Sequence, residues 1–217
     1  MKAVIFDLDD TLFDHSGSAE LAVRAWVAGL GLAPTDELVA QWVAVEDEVY
    51  PRFLAGELTH QEQRRERLRA FLPILGLPVP VADGELDEVF IGYLTQYKSS
   101  WTAFPDARPA LEVARGNGLR IGVLTNGNPV QQNAKLAAIG LAHLIDVVRT
   151  SEELGVSKPD PLTYLSTCEA LGVEPGETLM IGDNLELDVL GARAVGLVAR
   201  HLDRSVGHTL PELLDLL

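Results

Sequence analysis

Cysteine is almost absent from this chain: among 217 residues there is one, Cys168, so no internal disulfide can form. It lies in an apolar helical stretch, "YLSTCEALGV", where a lone cysteine reads as a small core side chain. Positive charge is scarce as well. Lys and Arg number 17 against 32 Asp and Glu, a net charge of −15, which argues against a protein that tracks the phosphates of a nucleic-acid polymer. A small phosphorylated ligand stays open, because a local cluster or a metal ion can invert the field at one site. Long hydrophobic runs are missing too. No segment stays apolar for the roughly 20 residues that a bilayer span needs, and the N-terminal apolar run ends in acids after a few residues, unlike a secretory leader. The expectation is a cytoplasmic protein with no membrane partner, a monomer or homodimer. Finally, His15, His60, His143, His201 and His208 form no pair at metal-ligand spacing.

What is present has the composition of an ordinary globular chain, 47% hydrophobic and 23% charged. Four short apolar runs do not alternate and so predict buried strands: "AVIF" (3–6), "RIGVL" (120–124), "LIDVV" (144–148) and "TLMIG" (178–182). A weaker fifth is "GLVAR" (196–200). Helical patterns at 107–118, 130–140, 161–172 and 186–196 lie between them, each ending near a glycine. Strand and helix alternating at this spacing predict an α/β fold, a Rossmann-like parallel sheet with helices on both faces.

Residues 14–101 break that rhythm. They hold amphipathic patterns at 18–32, 35–56 and 84–97, and a capping box in which Thr59 precedes Glu62 by three residues. The division expected is an α/β core of 1–13 and 102–217 with an inserted all-helical domain, 14–101, whose segment 79–85 is a loop. Trp26 and Trp42 read as core of the insert, and Trp101 as packing near a hinge.

In a parallel sheet, ligands gather at the carboxyl ends of the strands. Asp7 and Asp9 follow the first strand, Thr125 and Asn126 the second, Lys158 the loop after the third, and Asp183 the fourth. Singly, each has a plain reading as a turn, a helix start or a solvated acid. Together they converge on one edge.

In that arrangement the chain resembles the haloacid dehalogenase-like hydrolases. Asp7-Leu8-Asp9-Asp10-Thr11 matches the family's DxDx[TV], Thr125 in "VLTNG" its second motif, Lys158 in "GVSKPDP" its third, and Gly182-Asp183 through Asp188 its GDxxxxD. The resemblance implies that Asp7 is a nucleophile forming an aspartyl-phosphate and that Asp9 is an acid and base for leaving group and water. It implies Mg²⁺ held by Asp7, the Asp9 carbonyl and Asp183, with Asp188 orienting the ligands. Lys158 would offset charge, and the Thr125 hydroxyl with the Asn126 backbone N–H would cradle phosphoryl oxygens. The insert resembles the family's helical cap, and Arg67, in the run Arg64, Arg65, Arg67 and Arg69, is its candidate for reaching substrate. Asp10 reads as structural, and Glu186 as solvated.

One fold of this kind runs several reactions. Dehalogenases lack an acid at the position of Asp9, which favours phosphoryl transfer here, and phosphomutases demand polar cap groups that do not stand out. The expectation is a Mg-dependent phosphatase acting on small phosphorylated metabolites, nucleoside monophosphates or sugar phosphates. The alternatives are a phosphomutase, a 2-haloacid dehalogenase, or a non-catalytic binder of a phosphorylated ligand.

Overall fold

The apolar run that opens the chain is the middle of the sheet. In the computed structural model, which describes residues 1–214, β1 (Ala3–Phe6) is buried throughout. It pairs in parallel with β2 (Arg120–Thr125) on one side and β4 (Thr178–Gly182) on the other. With β3 (Val147–Thr150) and β5 (Val198–His201) they make a five-stranded sheet, order β3-β2-β1-β4-β5. The three inner strands are the unbroken apolar runs, because their residues meet protein on both faces.

Between β1 and β2 come α1 (His15–Gly29), α2 (Asp36–Leu54), α3 (His60–Ile74), α4 (Asp83–Ser99) and α5 (Ala107–Gly116). Then α6 (Pro129–Ala138) links β2 to β3, α7 (Ser151–Leu154) and α8 (Pro161–Leu171) precede β4, and α9 (Gly191–Ala194) precedes β5. Cys168 is buried among Ala3, Ile5, Met180 and Tyr164, as a core side chain.

Three local expectations need correction. The third strand starts at Val147, since Ala142–Leu144 form a 3₁₀ turn and Asp146 ties in early through its carboxylate, 2.8 Å from the Ile121 N–H. Being an edge strand, it is half-buried rather than buried. The segment 186–196 opens as a π-helical turn, Leu185–Leu190, before α9. The loop 79–85 ends at Ala82, because Asp83 and Glu85 enter the first turn of α4, where acids suit the helix dipole.

The chain forms two compact units, one of Met1–His15 with the described chain from Trp101 onward, the other of Ser16–Ser100. The first unit includes both crossings: Phe13 bridges Ala103, and Leu12 O accepts from Phe104 N at 3.1 Å. Trp101 packs edge-on against Phe13, centroids 6.2 Å apart. The second unit is helical. Its core stacks Trp26, Trp42, Phe71 and Tyr93, with Trp42 4.6 Å from Tyr93 and 4.9 Å from Phe71 between centroids. Thr59 and Glu62 exchange the two hydrogen bonds of a capping box at the start of α3.

Candidate active site

Asp7 continues the ladder of β1, its N–H donating to Ile181 O at 2.9 Å. The chain then curls over one turn: Thr11, Leu12 and Phe13 all donate their N–H to Leu8 O. Asp10 makes this turn possible. Its φ of +57° lies in the left-handed region that aspartate tolerates better than most residues. Its structural reading therefore has a backbone reason.

The turn leaves Asp7 facing Lys158 and Asp188. Lys158 Nζ stands 2.5 Å from Asp7 Oδ1 and 2.6 Å from Asp188 Oδ1, with all three groups buried. The other oxygen of Asp188 accepts from Asn184 N at 3.0 Å. Gly182 is required here, because any Cβ at that position would overlap the Asp188 carboxylate. Asp183 is held by Thr11, whose hydroxyl lies 3.3 Å from Asp183 Oδ1 and 3.2 Å from Asp183 N. On its far side His201 Nε2 approaches Asp183 O at 2.7 Å.

Asp7, Asp183 and Asp188 each bring an oxygen within 4.8 Å of the others. Lys158 bonds two of these three carboxylates, and the acidities of Asp7 and Asp183 register the excess of negative charge. Burial pushes Asp7 well above the usual carboxylate range; Lys158 opposes this, while Asp188 and Asp183 add to it. Asp183 is pushed up to about 6, by burial first and then by Asp188 and Asp10. A further cation would relieve this excess. The donor set is all oxygen, and a compact trio of carboxylates fits a hard divalent ion such as Mg²⁺.

Asp9 turns elsewhere. Its Oδ1 accepts from Lys135 Nζ at 2.6 Å and its Oδ2 from Gln132 Nε2 at 3.0 Å. Burial alone would raise its pKa, yet the charges of Lys135 and His15 and the bonds from Lys135 and Gln132 outweigh that, and the net shift is downward. Gln132 Nε2 also donates to Thr125 Oγ1 at 2.7 Å, which leaves the hydroxyl proton of Thr125 for another acceptor. Asn126 uses its side chain to bracket Lys158: its Oδ1 accepts from Lys158 N at 2.8 Å and its Nδ2 donates to Lys158 O at 3.2 Å.

The first unit therefore brings together Asp7, Lys158, Asp183 and Asp188, with Asp9 and Thr125 joined through Gln132. Arg67 belongs to the helical unit. Its guanidinium makes paired 2.9 Å bonds to Glu46 and lies 4.3 Å from the Trp42 ring centroid, so it is engaged inside that unit's core. Sequence reasoning missed Lys135 and Gln132, and it gave no site role to Thr11 or His201. The first two had a signal: Asn128 caps α6 ahead of Pro129, and spacing of three then sets Gln132 and Lys135 on one face.

The model of the haloacid dehalogenase-like hydrolases matches residues 1–196. The glyceraldehyde 3-phosphate phosphatase of Methanopyrus kandleri is 30% identical over 207 residues, 94% of this chain and 84% of that protein. Among solved structures, the hydrolase YfnB of Bacillus subtilis, bound to magnesium, superposes with a TM-score of 0.83 at 23% identity, over 99% of this chain and 97% of that one. The L-2-haloacid dehalogenase of Xanthobacter autotrophicus gives a TM-score of 0.71 at 30% identity, over 94% of this chain and 78% of that one.

Proposed function

This chain belongs to the haloacid dehalogenase-like hydrolases, and we propose that within the family it is a Mg²⁺-dependent phosphatase of small phosphate monoesters. The observation that carries the reading is the placing of Asp7 beside Lys158 while a second acid, Asp9, is held separately two residues on. Attack of an Asp7 oxygen on phosphorus breaks the bond to the leaving oxygen and forms an aspartyl-phosphate. Asp9 gives a proton to that leaving oxygen, then takes one from the water that attacks phosphorus and frees Asp7. Lys158 offsets the charge of Asp7 and of the phosphoryl oxygens, and Thr125 donates its hydroxyl proton to one of them. Asp7, the Asp9 carbonyl and Asp183 would hold Mg²⁺, oriented by Asp188, and the ion would supply positive charge against the transferring group.

Sugar phosphates and nucleoside monophosphates remain the substrate classes proposed, and the relative named for glyceraldehyde 3-phosphate supports adding short phosphorylated aldehydes. No helix among the described residues is long and apolar enough to cross a membrane. The test is hydrolysis of p-nitrophenyl phosphate with Mg²⁺ and with EDTA. Activity that depends on the metal is expected; no activity, or equal activity in EDTA, overturns the reading. A ranking of phosphorylated metabolites by kcat/KM then tests breadth, where one dominant substrate would replace the broad class.

The dehalogenase reading is favoured by the likeness to the Xanthobacter autotrophicus enzyme and opposed by Asp9, since a halide leaves without a proton donor. Chloride release from 2-chloropropionate would restore it.

A further inference from the structure

We propose that Lys135 and Gln132 are positioning residues for Asp9, holding its carboxylate by both oxygens so that it meets the leaving oxygen of the substrate. The inference rests on the phosphatase reading above.

A buried lysine needs a reason. Lys135 is 1% exposed and Gln132 2%, and α6 could have covered the sheet with leucine or methionine at lower desolvation cost. Instead Lys135 reaches Asp9 Oδ1, with its Nζ also 4.8 Å from the Phe13 ring centroid. Gln132 reaches Asp9 Oδ2 and, through the same nitrogen, Thr125 Oγ1. Gly127 keeps room for this: a Cβ there would come within 3.1 Å of Gln132 Nε2. A lysine that served only to fasten α6 would need one oxygen of any nearby acid. Here two side chains of one helix face saturate the acid proposed for proton transfer and link it to the hydroxyl proposed to bind phosphoryl oxygen.

The consequence is specific to the leaving group. As the phosphorus–oxygen bond breaks, the electron pair stays on the leaving oxygen. A p-nitrophenolate is stable with that charge, whereas an alkoxide must receive the Asp9 proton as it departs. A misplaced Asp9 therefore penalises alkyl esters more than aryl esters. A loss of packing, of metal or of Thr125 contacts penalises both alike.

The experiment compares kcat/KM for glycerol 2-phosphate and p-nitrophenyl phosphate with Mg²⁺, because that constant reports the step in which the leaving group is expelled. Lys135→Met is expected to lower the alkyl-to-aryl ratio by about tenfold or more, within the range of general acid catalysis. Gln132→Leu should lower it in the same direction by less, and it carries the test if Lys135→Met fails to fold. Lys135→Arg should restore part of the ratio. An unchanged or increased ratio in soluble, folded variants overturns the inference while leaving the phosphatase reading intact. Inactivity of the unsubstituted chain toward both esters overturns the phosphatase reading, and this inference falls with it.

Discussion

Asp87, in the helical unit, and Asp183, at the end of β4, are both carboxylates near a cation, yet their acidities move in opposite directions. Asp87 takes hydrogen bonds from Arg65 at 2.7 Å to each oxygen and from Gln61 at 2.6 Å, and these bonds draw it down to about 2. Asp183 goes up to about 6 because burial, Asp188 and Asp10 all disfavour its charge. The contrast extends to the two units. In the helical unit, acid and arginine are matched, as in Arg65 with Asp83 and Asp87, Arg69 with Glu66 and Asp83, and Arg67 with Glu46. At the strand ends, three acids crowd together and Lys158 bonds two of them, Asp7 and Asp188. Matched charges at a surface, such as those of Arg65 and Arg69, contribute little and cost little. A buried surplus costs stability, and it persists where chemistry needs it.

The sharpest way to break the comparison is Asp7→Asn. We expect turnover with p-nitrophenyl phosphate to fall by at least about a thousandfold, while the melting temperature holds or rises as one repelled charge disappears. A variant that kept most of its rate would remove Asp7 from the nucleophile role. A variant that lost both rate and fold would show that the cluster is structural.

Lys158→Met comes next. It leaves Asp7 and Asp188 facing one another without their shared ammonium, and removing one partner of a buried ion pair costs about 3–5 kcal/mol. Urea unfolding should therefore show a lower midpoint at neutral pH. A midpoint equal to the unsubstituted chain's would mean that the cluster tolerates its surplus unaided.

The strand-end edge was legible in the sequence because unbroken apolar runs have few alternatives to buried parallel strands, and an acid directly after such a run can only stand at its end. Asp7 and Asp183 followed from that, whereas Lys158 came from the resemblance of "GVSKPDP" to the family's third motif. Lys135 and Gln132 escaped because a lysine on an amphipathic helix is ordinarily turned outward, and only the tertiary fold reveals that its face of α6 lies over Asp9. The register of β3 escaped for a related reason. "LIDVV" is apolar enough for a strand, but Asp146 uses its own carboxylate to bond Ile121 N, and pairing begins one residue later. For Arg67, spacing placed it on α3 without saying which neighbours would claim it.

Arg67→Met tests the helical side of the comparison. It keeps the stem but removes two charge-assisted bonds to Glu46 and the cation over Trp42, for an expected loss of about 2–3 kcal/mol in stability. KM for the favoured ester should change less than about twofold, as for a residue bound inside its own unit. A tenfold rise in KM with unchanged stability would instead make Arg67 a substrate contact.

The smallest effect is in pH, and there the two aspartates separate by sign. Asp183 has a folded-state value of about 6 against an ordinary 3.8, so the folded chain binds its proton more tightly. Its stabilising contribution is full below about pH 4 and is lost as pH rises through 6. Asp87 is the reverse: its contribution is present above 3.8 and is lost as pH falls through about 2. Being half-buried, it should weaken only partly with salt. Thermal scans from pH 2 to 7 with EDTA should therefore show two opposed slopes. Mg²⁺ binds the ionised carboxylate, so the melting-temperature increment that it adds should grow between pH 4 and 7. In Asp183→Asn that increment and the upper slope should both shrink, while the acid slope, to which Asp87 contributes, stays. An increment equal at pH 4 and pH 7 would remove Asp183 from the metal site.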